Sequence, residues 1–177
     1  MSDRRIILDK EIKGRILDLG GGGEGIIGRL YGAQVVAVDH CQEELDEAPQ
    51  GFQKLLMDAT KLEFLDGSFD NVTLFYSLMY MRCEEQRQAL REAARVLRDG
   101  GNLYLWDTDV PSAYPEPFCT ELDIVLPGER IHTTYGIVKQ DTQNSDTIQA
   151  MCLAAGLTPV SSHKEAGHFY FCFRKES

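Results

Sequence analysis

The sequence contains no Cys-x-x-Cys pair, no cluster of Lys or Arg, and no apolar run approaching the roughly 18 to 20 residues of a membrane span. Its five cysteines, Cys41, Cys83, Cys119, Cys152 and Cys172, are odd in number and widely spaced. That favours reduced, space-filling thiols over a disulfide framework or a zinc site. His40 beside Cys41 is too little for a metal centre, and none is expected. Basic residues are scarce relative to acids, 18 against 28, which leaves a net charge of −10. A broad footprint on nucleic-acid phosphates is thereby disfavoured. Met1-Ser2-Asp3-Arg4-Arg5 leads into an apolar patch too short for a signal peptide, so a soluble, cytoplasmic protein is expected. Repeats and low-complexity segments are also missing. The 177 residues suit one domain, spanning 1–177, with no room for a separate substrate domain of ordinary size.

What the chain does have is a glycine-rich break in an apolar run, Ile16-Leu17-Asp18-Leu19-Gly20-Gly21-Gly22-Gly23-Glu24-Gly25-Ile26-Ile27. Glycine accepts positive φ and lets the backbone approach a ligand without a Cβ in the way, so the stretch reads as strand, crowded turn, helix. Gly20, Gly22 and Gly25 satisfy G-x-G-x-x-G, a pattern that many unrelated chains also meet.

The pattern after this turn alternates. Strands are expected at 15–19, 35–39, 54–57, 71–76 and 102–107, the second of them uniformly apolar as strands covered on both faces are. Helices are expected at 26–32, 42–48 and 84–98. The last has Ala89, Leu90, Ala93, Val96 and Leu97 on one side, acids at its start, bases at its end, and Gly100-Gly101 as its stop. Residues 4–14 mix short apolar and charged patches and define no class. Val110 to Pro117 carries three prolines in eight residues and reads as loop. Hairpins are expected around Pro127-Gly128-Glu129 and Glu165-Ala166-Gly167, with a helix capped by Ser145 between them. Alternation of this kind demands a mostly parallel sheet with helices on both faces, to which the terminal hairpin adds an antiparallel strand.

Ligands of such sheets lie beyond the carboxyl ends of the strands. Asp18, Asp39, Asp58 and Asp107 all fall at or near such ends. Asp39 sits about 20 residues past the first glycine, where a carboxylate accepts from both ribose hydroxyls. Asp58 is suited to an adenine amine, and Ala59 to offering its N–H to a ring nitrogen. A single strand-end acid is more often a solvated loop residue or a helix cap; four in this order point to an adenosine-containing ligand.

The ordered motifs Ile16 to Gly22, Val38-Asp39, Met57-Asp58-Ala59, Ser68-Phe69-Asp70-Asn71-Val72, Ala94 to Gly101 and Cys152 to Leu157 resemble those of the class I S-adenosylmethionine (SAM) dependent methyltransferases. The resemblance covers about residues 15–107 and 146–174. It implies a Rossmann-like, doubly wound α/β fold with a mostly parallel seven-stranded sheet and an antiparallel C-terminal strand. It also implies that Asp18 with Gly20, Gly21 and Gly22 holds the methionine part of SAM, Asp39 with His40 beside it the ribose, and Asp58 with Ala59 the adenine. The loop after the fourth strand, Phe75 to Tyr80, would line the cofactor from the other side, with Phe75, Tyr76 and Tyr80 as its named contacts. Two departures stand out. Glu24 occupies the place where the family turn usually has its third glycine, and residues 110–144 lack the helical pattern many relatives use near the acceptor.

The expected activity is in-line transfer of the SAM methyl to a small-molecule acceptor of unidentified structure. Asp107, His132 and His168 are the candidates for a base, and none is preferred. A catalytically silent SAM-binding protein on the same fold is one alternative, and an NAD-binding oxidoreductase another. Glu24 and Asp18 beside the glycine turn would oppose a pyrophosphate, whereas SAM carries an ammonium and a sulfonium.

Overall fold

Apolar residues on both faces of short strands require cover on both sides, and a computed structural model, describing residues 4–177, shows how it is supplied. Met1 to Asp3, the start of the N-terminal segment, lie outside the described residues. The elements in chain order are β1 (Arg4–Ile7), β2 (Ile16–Leu19), α1 (Ile26–Tyr31), β3 (Val35–Asp39), α2 (Gln42–Glu47), β4 (Gln53–Leu56), β5 (Phe69–Phe75), α3 (Cys83–Val96), β6 (Leu97–Thr108), β7 (Phe118–Leu126), β8 (Glu129–Ile137), α4 (Ser145–Ala154), β9 (Leu157–Glu165) and β10 (His168–Lys175).

Seven strands form one sheet in the order β4-β3-β2-β5-β6-β10-β9. All neighbours are parallel except β10, which runs antiparallel to both β6 and β9. The chain builds outward from β2 to β4 on one side and then resumes at β5 on the other. This reversal leaves a crevice beyond the carboxyl ends of β2 and β5.

The period-2 alternation of the strands sorts the core into two layers. Leu17, Leu19, Val36, Val38, Leu74 and Leu105 face a cluster completed by Leu90, Ala93 and Val96 of α3 and Ile148 and Met151 of α4. Fully burying a residue such as Leu90 contributes about 1.5 to 3 kcal/mol. Ile16, Val35, Ala37, Phe75 and Trp106 face the opposite cluster, completed by Ile26 and Ile27 of α1 and by Leu122 and Ile124 of β7.

That second layer holds the main departure from the sequence reading. The hairpin expected around Gly128 forms, but as β7 and β8 of a separate three-stranded sheet whose third member is β1. β1 pairs parallel to β7, Arg4 opposite Leu122 and Ile7 opposite Val125, so residues 4–14 begin with a strand after all. Smaller differences have local causes. α3 ends at Val96 because Leu97 pairs with Phe69 of β5 and starts a strand before the Gly100-Gly101 turn. The cap of α4 is Asn144, whose Oδ1 accepts from the Thr147 N–H at 2.8 Å, and not Ser145. Among the cysteines, Cys152 and Cys172 are buried, whereas Cys119 is exposed on β7 and fills no space.

Candidate active site

Parallel pairing puts Asp18 opposite Ala37 on one side and Thr73 on the other. Side chains at matched register share a face, so Thr73 Oγ1 donates to Asp18 Oδ1 at 2.7 Å, both groups buried. Burial pushes the Asp18 carboxyl up to about 7, against the lowering effect of the Thr73 bond and with a smaller push from Asp39. Gly21 lies directly over this carboxylate: a Cβ there would meet Asp18 Oδ2 at 2.5 Å and the Ala37 Cβ at 2.7 Å. The third glycine of the turn, Gly22, donates its N–H to Asp39 Oδ2 at 3.2 Å, while Asp39 Oδ1 accepts from the Cys41 N–H at 3.1 Å.

The rest of the turn is also turned inward. Gly20 and Gly21 donate to the Val38 carbonyl at 2.9 and 3.1 Å, and Gly23 donates to the Glu44 carbonyl at 2.8 Å. Four successive N–H groups, Gly20 to Gly23, are therefore spent on protein acceptors. A pyrophosphate-binding turn works by presenting such groups to its ligand.

Beyond the turn lies a cavity of about 940 Å³ at the crevice between β2 and β5. Every residue expected at the cofactor lines it: Asp18, Gly20, Gly21, Gly22, Asp39, His40, Asp58, Ala59, Phe75, Tyr76 and Tyr80. His40 is at the rim, its ring largely exposed and 3.6 Å from Asp39 Oδ1. Asp58 is exposed, and its Oδ1 accepts from the Thr60 N–H at 2.8 Å and the Thr60 hydroxyl at 2.7 Å, bonds that hold its carboxyl below the usual range. Tyr76 takes positive φ, +50°, a conformation costly for a bulky side chain. Half-exposed Tyr80 has its hydroxyl pushed up to about 12, chiefly by burial of the phenol end.

Glu24 neither repeats the family turn nor points freely into the cavity. Its carboxylate accepts from the Thr133 and Tyr135 hydroxyls of β8, the latter at 3.2 Å, and so ties the turn to the small sheet. Thr134 and Tyr135 thereby become part of the cavity wall. Sequence reasoning missed them; Ser77 fell within the loop expected at the cofactor but was not singled out. Ser77 follows the strained Tyr76, lines the cavity, and has a buried hydroxyl with no hydrogen-bond partner among the described residues.

The three base candidates lie elsewhere. Asp107 is fully buried and accepts from the N–H groups of Leu78, Met79 and Thr108 and from Gln143 Nε2, at 2.9 to 3.3 Å. Burial raises its carboxyl to about 7, but these donors make it an anchor for the loop after β5. His132 stands on the exposed side of β8. His168 Nδ1 is 2.8 Å from the Tyr76 hydroxyl, its ring belongs to a different cavity, and burial lowers its pKa.

The sequence from residue 17 to 105, which holds β2 to most of β6, matches the model of a methyltransferase domain. The chain belongs to the SAM-dependent methyltransferase family. Among its relatives is the ubiquinone/menaquinone biosynthesis C-methyltransferase UbiE of Desulfotalea psychrophila, 31% identical over 133 residues, 70% of this chain and 50% of that protein. The chain spans about half or less of the length of the curated relatives it matches first. The fold is shared with an S-adenosylmethionine dependent methyltransferase from Mesorhizobium loti, at TM-score 0.66 and 16% identity, covering 94% of this chain and 93% of that one. It is shared equally with the [4+2]-cyclase SpnF, at TM-score 0.68 and 17% identity, covering 92% of this chain and 74% of that one. Family membership thus rests on the sequence match, since this fold also serves other chemistry.

Proposed function

We propose that this protein binds SAM in the 940 Å³ cavity and transfers its methyl group to a small-molecule acceptor. The observation that carries the reading is the inward turn of the Gly20 to Gly23 N–H groups, which spends them on protein acceptors while seven carboxylates line the cavity. That arrangement fits a cation without phosphates and opposes NAD.

The residues present suit SAM. Asp18 is a buried carboxylate with no cationic partner among the described residues, and the unpartnered Ser77 hydroxyl lines the same cavity. Together they would hold the amino-acid end, whose ammonium offsets the cost of a buried charge. Asp39 would accept from the ribose hydroxyls, with His40 at the rim. Asp58 keeps Oδ2 for the adenine amine, and Ala59 supplies a backbone N–H. Phe75, Tyr76 and Tyr80 would enclose the other side. When bound, SAM supplies a methyl on a sulfonium, already a good leaving group, so the chain's task is to fix the reacting atoms within about 3 to 3.5 Å and keep water out. No protein nucleophile is required.

We take residues 1–177 as one methyltransferase-like domain, with 110–144 inserted near the acceptor. The net charge of −10 supports a small-molecule acceptor over nucleic acid, and the absence of a long apolar helix among the described residues and of paired cysteines supports a cytoplasmic location. A silent SAM-binding protein is the second reading, favoured by one observation: none of Asp107, His132 and His168 lines the cofactor cavity.

Isothermal titration tests the first step. SAM and S-adenosylhomocysteine should bind with micromolar affinity, on the order of −8 kcal/mol, and NADH should not. Tight NADH binding with no response to SAM would sink the assignment. Transfer of labelled methyl from SAM into a small-molecule extract separates the enzyme from the silent protein, which would bind SAM without forming labelled product.

A further inference from the structure

A second cavity, of about 500 Å³, lies between β1 with the residues after it and the β6–β10 part of the large sheet. Its wall is aromatic, built from Tyr76, Trp106 and Tyr170, the last two with ring centroids 5.1 Å apart. Its charged lining is basic: Arg4, Arg5 and Lys10 against a single carboxylate, Asp9. The cofactor cavity is the reverse, with seven lining carboxylates and Arg29 as its one Lys or Arg among the described residues. In a chain of net charge −10, this segregation places an anion-seeking pocket beside a cation-seeking one.

Two of the three cations are partly committed. Arg4 pairs through Nη1 with Glu165, and Arg5 Nε with Asp123 at 3.1 Å. Yet Arg4 Nε is buried with no hydrogen-bond partner among the described residues. Lys10 has no carboxylate partner among them either; its Nζ is 2.8 Å from the Tyr170 hydroxyl and 5.2 Å from the ring centroids of both Tyr104 and Tyr170. An aromatic wall edged by positive charge, with Arg4 Nε unpartnered among the described residues and Lys10 without a carboxylate there, selects a flat ring carrying an anion. An ammonium would meet like charge, and an aliphatic acid would leave the rings without a stacking partner.

Tyr76 lines both cavities, so one side chain separates them. Its positive φ is held from both directions, by its N–H to the Trp106 carbonyl at 2.7 Å and its hydroxyl 2.8 Å from His168. Strain retained in this way marks a position whose orientation is over-determined.

We propose that the second cavity binds a small aromatic anion, a carboxylate or phenolate of one or two rings, with Tyr76 as the partition between it and the cofactor cavity. The proposal needs only the geometry of this cavity and stands whether or not the neighbouring one transfers a methyl group.

The test is isothermal titration of the full chain with 2-naphthoate, 2-naphthylmethylamine and 2-naphthylmethanol, which share a shape and differ in charge. Naphthoate should bind at least tenfold more tightly than the other two. Lys10→Gln, at an exposed position, should weaken naphthoate at least fivefold and leave S-adenosylhomocysteine binding within twofold, which separates loss of this site from loss of the fold or of the cofactor site. Absence of naphthoate binding, equal affinity for all three probes, or an unchanged affinity in Lys10→Gln would overturn the proposal. So would competition between naphthoate and S-adenosylhomocysteine, because it would put both in one cavity.

Discussion

Asp18 shows how a single residue sets a pH dependence. Its folded-state pKa is raised from 3.8 to about 7, first by burial. Between those values the unfolded chain releases a proton that the folded chain retains, so this group makes stability fall as pH rises from about 4 to about 7. Above that range the fold carries the full cost of a buried charge, on the order of 4 kcal/mol. Asn in its place keeps an acceptor for Thr73 and cannot ionise. Asp18→Asn should therefore melt several degrees above the wild type at pH 8, with the gap closing as pH falls toward 4. A gap that stays constant across this range would show that Asp18 titrates as an ordinary surface acid. On the role proposed for Asp18, S-adenosylhomocysteine affinity should rise between about pH 6 and 8 as its carboxyl ionises to meet the ligand's ammonium, and the same substitution should abolish that rise.

At the scale of elements, the link that joins the glycine turn to β8 along the 940 Å³ cavity is Glu24. The pair Glu24–Tyr135 is separated by 111 residues, and nothing local to Glu24 announces it. A hydrogen bond to a charged acceptor contributes about 1.5 to 3 kcal/mol. Glu24→Ala should accordingly loosen the small sheet against the turn. Amide hydrogen exchange should accelerate in Phe118–Leu126 and Glu129–Ile137 while Leu103 to Asp107 of β6 stays protected; acceleration spread evenly over both would mean that the contact supports the whole fold and not this junction. The same contrast explains what was legible in the sequence. The helix ending at Val96 and the strands around Asp18, Asp39 and Phe75 could be read because their periodicity, caps and stops are local. The carboxylates followed, since strand-end position is fixed by that same periodicity. β1 could not be read: four residues of mixed character become a strand only because Leu122 to Val125, more than a hundred residues later, supply the partner. Tyr135 was hidden for the same reason, its place in the cavity being set by tertiary packing. Asp107 misled because strand-end position does not distinguish a ligand-facing acid from one that collects four internal donors.

At the scale of the whole molecule, sequence kinship and charge divide the chain along one line. The stretch that matches the methyltransferase model, residues 17–105, carries all seven carboxylates of the 940 Å³ cavity, whereas Arg4, Arg5, Lys10, Trp106 and Tyr170 of the second cavity fall outside it. The matched stretch thus carries the acidic lining, and residues outside it, together with Tyr76, carry the basic and aromatic lining. A net charge of −10 extends the negative potential beyond the cavity mouth. SAM carries an ammonium, a sulfonium and a carboxylate and is a net cation; S-adenosylhomocysteine lacks the sulfonium charge and is neutral overall. Raising NaCl from about 20 mM to about 500 mM shortens the screening length from about 20 Å to about 4 Å. SAM affinity, measured by titration calorimetry at pH 8, should then fall several-fold, and S-adenosylhomocysteine affinity by less than about twofold. Equal salt dependence for the two would show that the acidic lining acts only through short-range contacts, and the long-range field would have no part in choosing the cofactor.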